Sequence, residues 1–362
     1  MKKKVFFILI AILGFGAILR FYNLEKKPFW YDETVTLRES SSPSLYKAIT
    51  VNYEEKIPPG YVILMYLVRK YIGGSEFILR FPSALAGVLS ILIIFILSNK
   101  LYSYREGLMA AAFSSVSAFY VHCSQEARMY SFLVLFTMLS ILFWIILIKT
   151  VLKNTNAWLW GGYIFTAAFC CYLHYYGLLI IFLQGLATVL VLKNDPKKIK
   201  KFIFAYFIIF LIYVPWIGQM VKHLQIKSFW ILMPKTFFFF GFLWRLFNQS
   251  KLLLAVACLL YLYLFVKLLY DYFRWHHKPE GFDIFLLAWL VGPYLIMHAA
   301  SLIFFPILIP RYLMVSSAPA FILLARAITK LPMNYKMQNA ISMLLVGIFL
   351  SGFLFLNSQL YV

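Results

Sequence analysis

Long apolar runs separated by short polar stretches extend through the chain from beginning to end. The runs are continuous rather than alternating, which is typical of helices and not of the strands of a membrane barrel. A membrane-spanning helix needs about 20 apolar residues, so the pattern accommodates about eleven spans. It therefore predicts an all-α polytopic membrane protein with a single domain over residues 1–362.

The first span is predicted to be a retained signal-anchor helix. Its apolar run to Ala17 follows Lys2, Lys3 and Lys4, and no small-residue cleavage site comes after it. The lysines favour a cytoplasmic N-terminus. The later spans are predicted at about 82–99, 107–121, 128–148, 157–173, 177–192, 202–221, 252–270, 283–304, 312–329 and 339–357.

The loops between these spans alternate in charge. Lysine and arginine collect in every second loop, for example Lys149 and Lys153, whereas the turns near 122–127, 174–176 and 305–311 have almost none. Since basic residues concentrate in cytoplasmic loops, the turns that lack them are predicted to lie on the outer face. An odd number of spans and an outer C-terminus follow.

Two longer polar stretches are also assigned to the outer face. Residues 21–80 contain four prolines and are too polar to span, so we expect short helices at the membrane interface, one of them over Gly60 to Tyr71. Residues 222–251 combine aromatic and basic side chains, which makes this stretch a candidate lid.

Composition and charge support a multi-pass protein of the cell membrane. Hydrophobic residues make up 63% of the chain and charged residues 13%, whereas soluble domains have about 45–50% and about 25%. The net charge of +21 is dispersed between spans, which favours membrane lipids and not nucleic acid as partners. The four cysteines have no zinc-ligand spacing and are predicted to be free thiols, with pairing of Cys123 to Cys170 or Cys171 left open.

Carboxylates are scarce, and on the predicted outer face none follows Glu126. Asp32 and Glu33 come shortly after the first span. They could begin a helix, with Asp32 as its N-cap and Glu33 at the positive end of its dipole. A second acidic cluster, Glu54 to Lys56, precedes Pro58 and Pro59 in the same stretch, and this favours a functional site.

A polar island lies between two spans at Val121 to Tyr130. Gln125 or Glu126 could cap the helix that follows. Arg128 is harder to explain structurally, because a guanidinium at an outer helix end needs an anionic partner and its planar fork suits phosphate. Arg311, on the same face, suits phosphate or lipid headgroups.

The outer face thus has acids early in the chain and basic residues late. Such a face fits a reaction in which arginine holds a phosphate leaving group and a carboxylate deprotonates the nucleophile. His174 lies among tyrosines, where a hydrogen-bonded interfacial histidine is more common than a catalyst. The sequence has no metal-ligand spacing, glycine-rich phosphate loop or nucleophile elbow, so neither ATP nor another cofactor is expected.

At these residues the chain resembles the GT-C superfamily of membrane glycosyltransferases, in particular bacterial relatives of the protein O-mannosyltransferases and lipid A aminoarabinose transferases. The similar pieces keep their family order: Trp30 to Glu33, Pro58 to Tyr61, Ser75 to Ala84, Ser124 to Tyr130 and Pro310 to Tyr312. Nearly the whole chain, from residue 5 to about residue 330, is covered.

The resemblance implies an inverting transfer of a hexose or pentose from a polyprenyl-phosphate donor to a protein, glycan or lipid acceptor on the outer face. Asp32 would be the general base, and Glu33 would orient or bind. Arg128 and Arg311 would hold the lipid phosphate. Some members of the superfamily use a divalent metal, but the carboxylates here form no clear ligand set, so metal independence is expected.

The resemblance also suggests further substrate contacts. Glu55 and Lys56 stand where some relatives have an acidic-basic pair, although Ile57 replaces the histidine that many relatives have before the two prolines. The other binding candidates are Tyr61, His122, Gln125, Glu126, Tyr130, His174 and Tyr312.

A lipid or glycan transporter or flippase is the main alternative. Transporters usually have charges within their spans and inverted repeats, whereas this sequence has few such charges and no visible repeat. A non-catalytic assembly factor would not need carboxylates and arginines on one face. The sugar, the carrier length and the acceptor are left open.

Overall fold

The computed structural model describes residues 3–51, 57–151, 155–225, 231–275 and 281–360. All regular elements in these ranges are helical. The α-helices are α1 Lys3–Phe21, α2 Tyr31–Ser40, α3 Leu45–Val51, α4 Gly60–Tyr71, α5 Glu76–Leu101, α6 Tyr104–Ser115, α7 Ala118–Ser124, α8 Tyr130–Lys149, α9 Ala157–Leu173, α10 Tyr175–Val191, α11 Pro196–Leu224, α12 Phe238–Leu246, α13 Lys251–Trp275, α14 Gly281–Ile303, α15 Ser317–Lys330 and α16 Tyr335–Leu360. A 3₁₀ helix, Tyr312–Ser316, precedes α15.

The helices confirm the predicted all-α membrane architecture. In the described ranges, eight helical segments are long and apolar enough to cross a membrane, and α9 and α10 are shorter apolar helices. Together with the pair α6 and α7, they account for the predicted spans. The helix predicted over Gly60 to Tyr71 is present with the same bounds.

One predicted span, 107–121, is wrong as a continuous helix. Its path is broken between Ser115, where α6 ends, and Ala118, where α7 begins. The buried Arg20 of α1 donates to the carbonyls of Ser114 and Ser115, both at 3.1 Å, and the Asn248 side chain donates to the carbonyl of Val116 at 2.9 Å. These side chains satisfy the backbone groups that the break leaves open.

Polar contacts join the helix ends that the charge pattern assigns to the cytoplasmic side. Lys149 of α8 donates to the Lys100 carbonyl of α5 at 2.9 Å, and Glu106 of α6 faces Arg326 of α15 at 3.4 Å. Arg20 lies at the C-terminal end of α1, among the helix ends that the charge pattern assigns to the outer side. The predicted alternation of the spans therefore agrees with the arrangement of the helix ends.

Part of the candidate lid is packed into the bundle. Phe242 and Leu246 of α12 and the adjoining Phe247 are fully buried, and Ser117, at the break before α7, donates to the Leu246 carbonyl at 2.7 Å. The four cysteines are free thiols, as predicted.

Gly87→Ala is expected to destabilise the junction of α1, α5 and α7. A Cβ at Gly87 would lie 2.3 Å from Ser124 Oγ and 3.0 Å from Arg20 Nε, and such overpacking costs about 1–3 kcal/mol. Thermal unfolding in detergent checks this. Gly161→Ala, where the new Cβ meets nothing within 4 Å, is the control, and equal melting temperatures for the two variants would contradict the expectation.

Candidate functional site

Four distant segments meet at the end of the bundle that was predicted to face outward. They are the start of α2, the start of α5, the connection between α7 and α8, and the loop before the 3₁₀ helix. With the segment between α1 and α2 and the end of α7, they line a cavity of about 230 Å³. Its walls include Trp30, Glu33, Arg80, His122, Gln125, Glu126 and Arg311.

The structure shows where Asp32 and Glu33 lie at the start of α2. Trp30 occupies the N-cap position, so the alternative with Asp32 as N-cap is wrong. Glu33 accepts the main-chain N–H of Trp30 at 3.3 Å, which stabilises the first turn. Both acids lie in that turn, where negative charge favours the helix dipole.

Glu33 is fully engaged in a buried ion pair. Its carboxylate is 1% exposed and accepts from Arg80 Nε at 2.8 Å and from Arg80 NH2 at 2.7 Å. The main-chain N–H of Ala127 donates to Oε1 at 2.8 Å. Because Trp30 also donates to Oε2, both oxygens have two donors, and the contacts of Glu33 fit the orienting role better than proton transfer.

Arg80 also satisfies the main chain of the first stretch. Its guanidinium donates to the carbonyls of Leu24 at 2.8 Å, Lys27 at 2.7 Å and Pro28 at 3.1 Å. The pair of Arg80 and Glu33 thus ties the segment after α1 and the start of α2 to α5.

Asp32 has a more open environment than Glu33. Its carboxylate is 28% exposed and meets Arg311 NH1 at 3.1 Å. The Arg311 guanidinium lies 4.1 Å from the centre of the Trp30 ring, at cation–π distance, and NH2 is 3.6 Å from Glu126 Oε1. Asp32 is therefore a partly exposed carboxylate paired with an arginine that lines the cavity.

Arg128 lies against the main chain of Asp32. It is 7% exposed, and its NH1 donates to the Asp32 carbonyl at 3.1 Å and to Thr36 Oγ1 at 3.3 Å. Its Nε has no hydrogen-bond partner in the described part of the chain. A buried arginine with a spare donor is suited to bind an anion.

Two other binding candidates have structural contacts. Tyr61 is buried, and its hydroxyl is 3.1 Å from Ser83 Oγ, which in turn donates to the Arg128 carbonyl at 3.1 Å. Gln125 lines the cavity, but its amide donates to the carbonyls of Leu19 at 3.1 Å and Tyr22 at 3.0 Å at the end of α1. Tyr61 is therefore linked through Ser83 to the main chain of Arg128. Gln125 satisfies main-chain carbonyls at the C-terminal end of α1.

Three further candidates, Tyr130, His174 and Tyr312, form an aromatic group. Tyr312 lies between Tyr130, with ring centres 6.3 Å apart, and His174, at 4.5 Å. His174 Nδ1 accepts the main-chain N–H of Tyr176 at 3.2 Å. Burial, and secondarily the charge of Arg128, lowers the pKa of His174 to about 3, so this histidine is neutral at physiological pH.

The predicted contacts Glu55 and Lys56 lie outside the described residues. His122, in contrast, is exposed at the rim of the cavity, where its Nε2 is 3.0 Å from Glu126 Oε1.

Comparison with known proteins identifies the fold. Residues 56–218 match the family described as dolichyl-phosphate-mannose-protein mannosyltransferase. ArnT from Cupriavidus metallidurans in its apo state superposes with a TM-score of 0.66 at 13% identity, over 91% of this chain and 61% of ArnT. The chain has the GT-C fold.

A second GT-C structure agrees. The oligosaccharyltransferase of Archaeoglobus fulgidus in its apo form matches 98% of this chain and 56% of its own length, with a TM-score of 0.66 and 12% identity. The chain thus spans about three fifths of the length of these two proteins. No curated protein matches the sequence significantly. The predicted resemblance to the GT-C superfamily is confirmed at the level of the fold.

Within this GT-C fold, sequence reasoning missed Trp30 and Arg80 as parts of the site. Arg80 had a usable signal, since it lies in Ser75 to Ala84, one of the pieces that carry the resemblance. Trp30 likewise begins the similar piece Trp30 to Glu33, and it also has the pattern of an interfacial aromatic.

Proposed function

We propose that this GT-C chain is an inverting glycosyltransferase. It would move a sugar from a polyprenyl-phosphate donor to an acceptor hydroxyl on the outer face of the membrane. The observation that carries the proposal is Asp32, a partly exposed carboxylate 3.1 Å from Arg311, which itself lines the cavity. Two neighbours support it: ArnT has been solved bound to undecaprenyl phosphate, and the Archaeoglobus fulgidus enzyme with a tethered acceptor peptide.

In the proposed reaction, Asp32 removes the proton from the acceptor hydroxyl as its oxygen attacks the anomeric carbon of the sugar. The bond from that carbon to the phosphate oxygen breaks, and the carrier phosphate leaves with the electron pair. Arg311 and Arg128 stabilise the negative charge on the phosphate. Because the donor brings its own leaving group, the reaction needs no nucleotide.

Purified protein incubated with a panel of polyprenyl-phosphate hexoses and pentoses tests this function. We expect loss of the sugar from at least one donor and its appearance on an added acceptor. A flippase would instead move the lipid across a liposome membrane without consuming it. Lipid movement with every donor intact would overturn the proposal.

Arg128→Ala is expected to raise the KM for the donor by about 10- to 100-fold, because a hydrogen bond to a charged group contributes about 1.5–3 kcal/mol. Titration of the donor at saturating acceptor measures this. The control is Arg245→Ala on α12. Arg245 is exposed and does not line the cavity. Unchanged donor affinity and rate in Arg128→Ala would exclude the phosphate role.

We also propose that the reaction is independent of a metal. The Arg311 guanidinium lies between the carboxylates of Asp32 and Glu126, and it supplies positive charge at the place where these acids would otherwise share a cation. Dialysis against a chelator is expected to leave the transfer rate unchanged. A loss of rate that a divalent cation restores would contradict this proposal.

A further inference from the structure

The carboxylate of Glu126 is the feature of the cavity that the proposed reaction leaves unexplained. It is 5% exposed, and neither of its oxygens accepts a hydrogen bond from the described part of the chain. His122 Nε2 at 3.0 Å and Arg311 NH2 at 3.6 Å approach Oε1 without hydrogen-bond geometry. Glu33 in the same cavity wall has a donor at every acceptor position, so burial alone does not explain the difference.

A buried carboxylate in this state lacks hydrogen-bond donors. Nearly all buried polar groups in native proteins are hydrogen-bonded, and an exception calls for an explanation such as a missing ligand. Hydroxyl groups form short, charge-assisted hydrogen bonds to a carboxylate. Two neighbouring hydroxyls of a sugar ring would supply one donor for each oxygen of Glu126.

The position of Glu126 relative to the arginine indicates which sugar this is. Its Oε1 is 3.6 Å from Arg311, which holds the donor phosphate in the proposed function. The transferred sugar is bonded directly to that phosphate, so its ring must lie next to Arg311. The cavity of about 230 Å³ is smaller than the roughly 300–1,000 Å³ of sites for drug-sized ligands, and therefore suits a single ring rather than the whole donor.

We propose that Glu126 binds hydroxyl groups of the transferred sugar and selects a neutral sugar over an acidic one. The inference rests on the proposed function and adds the chemical class of the transferred group. A sugar carboxylate would meet the buried charge of Glu126 and be rejected by like-charge repulsion. A sugar without the matching hydroxyls would leave Glu126 unpaired, which is the stronger form of discrimination.

Equilibrium binding of three ligands tests the assignment: bare polyprenyl phosphate, polyprenyl phosphate carrying neutral sugars, and polyprenyl phosphate carrying a uronic acid. For the wild type we expect the neutral sugar to add affinity and the uronic acid to add none. Glu126→Ala and Glu126→Gln are expected to lose that added affinity, by about 10- to 100-fold for alanine, without weaker binding of the bare carrier.

A matched control is Glu106→Gln, which removes a buried carboxylate at the opposite end of the bundle, where Thr329 donates to it at 2.8 Å. This variant is expected to keep the full preference for the sugar. The melting temperature of the ligand-free protein separates binding from structure. Glu126→Gln is expected to melt no lower than the wild type, since it removes a charge that has no hydrogen bond.

The outcomes separate the two proposals. If Glu126→Ala keeps the preference for the neutral sugar, or if Glu126→Gln loses all ligands together with its thermal stability, the assignment of Glu126 is overturned and the glycosyltransferase function stands. If the wild type binds neither the carrier nor any sugar donor, the proposed function fails, and the sugar site fails with it.

Discussion

Asp32→Asn is expected to lower the rate of sugar transfer by about 10²- to 10⁴-fold, the contribution typical of a positioned general base. Asparagine has nearly the shape of aspartate but cannot take the acceptor proton. The substitution also removes an ion pair whose carboxylate is 28% exposed. Because asparagine keeps a side-chain oxygen that can accept from Arg311, the fold should be little affected. Single-turnover transfer at saturating donor, with thermal unfolding of the same sample, measures both effects.

The control for Asp32→Asn is Glu25→Gln, which removes an exposed carboxylate from the segment between α1 and α2. It should transfer sugar at the wild-type rate. Wild-type turnover by Asp32→Asn would remove Asp32 as the base. Of the two described acids that line the cavity, Glu126 would then be the better candidate, since Glu33 has its acceptor positions filled by Arg80, Trp30 and Ala127.

The spans could be predicted from the sequence because lipid-facing helices require long apolar runs, and those runs are local in the chain. The predicted span 157–173 has the same bounds as α9. The break between α6 and α7 could not be predicted in this way. It depends on Arg20 and Asn248, which lie 95 and 132 residues from the carbonyls that they satisfy, and no local pattern records such distant donors.

For the candidate site, too, local sequence motifs could be recognised, whereas contacts between distant residues could not. The order of the family motifs pointed to Asp32, Arg128 and Arg311, and the structure brings these three residues to one end of the bundle. The sequence could not distinguish the environments of Glu33 and Glu126, because both are glutamates in stretches predicted to face outward. Only the folded chain shows that Arg80, 47 residues away, pairs with Glu33 and that no comparable donor in the described residues reaches Glu126.

Arg80→Met is expected to destabilise the protein by about 3–5 kcal/mol, the typical cost of removing one partner of a buried ion pair. The Glu33 carboxylate, 1% exposed, would lose its counter-charge and two short hydrogen bonds. The carbonyls of Leu24, Lys27 and Pro28 would lose their donors as well. Thermal or denaturant unfolding in detergent measures the loss, and transfer activity should fall because α2 carries Asp32.

The double variant Glu33→Gln with Arg80→Met separates the two causes. A neutral glutamine needs no counter-charge, so the double variant is expected to be more stable than Arg80→Met alone. It should remain less stable than the wild type, because the three carbonyls still lack their donors.

Arg326→Met is the control at the opposite end of the bundle. There the guanidinium is 3.4 Å from Glu106, and Glu106 keeps a donor in Thr329, so we expect a smaller loss of stability. Wild-type stability of Arg80→Met would show that the pair does not hold α2 in place, and the position of Asp32 beside Arg311 would then depend on other contacts.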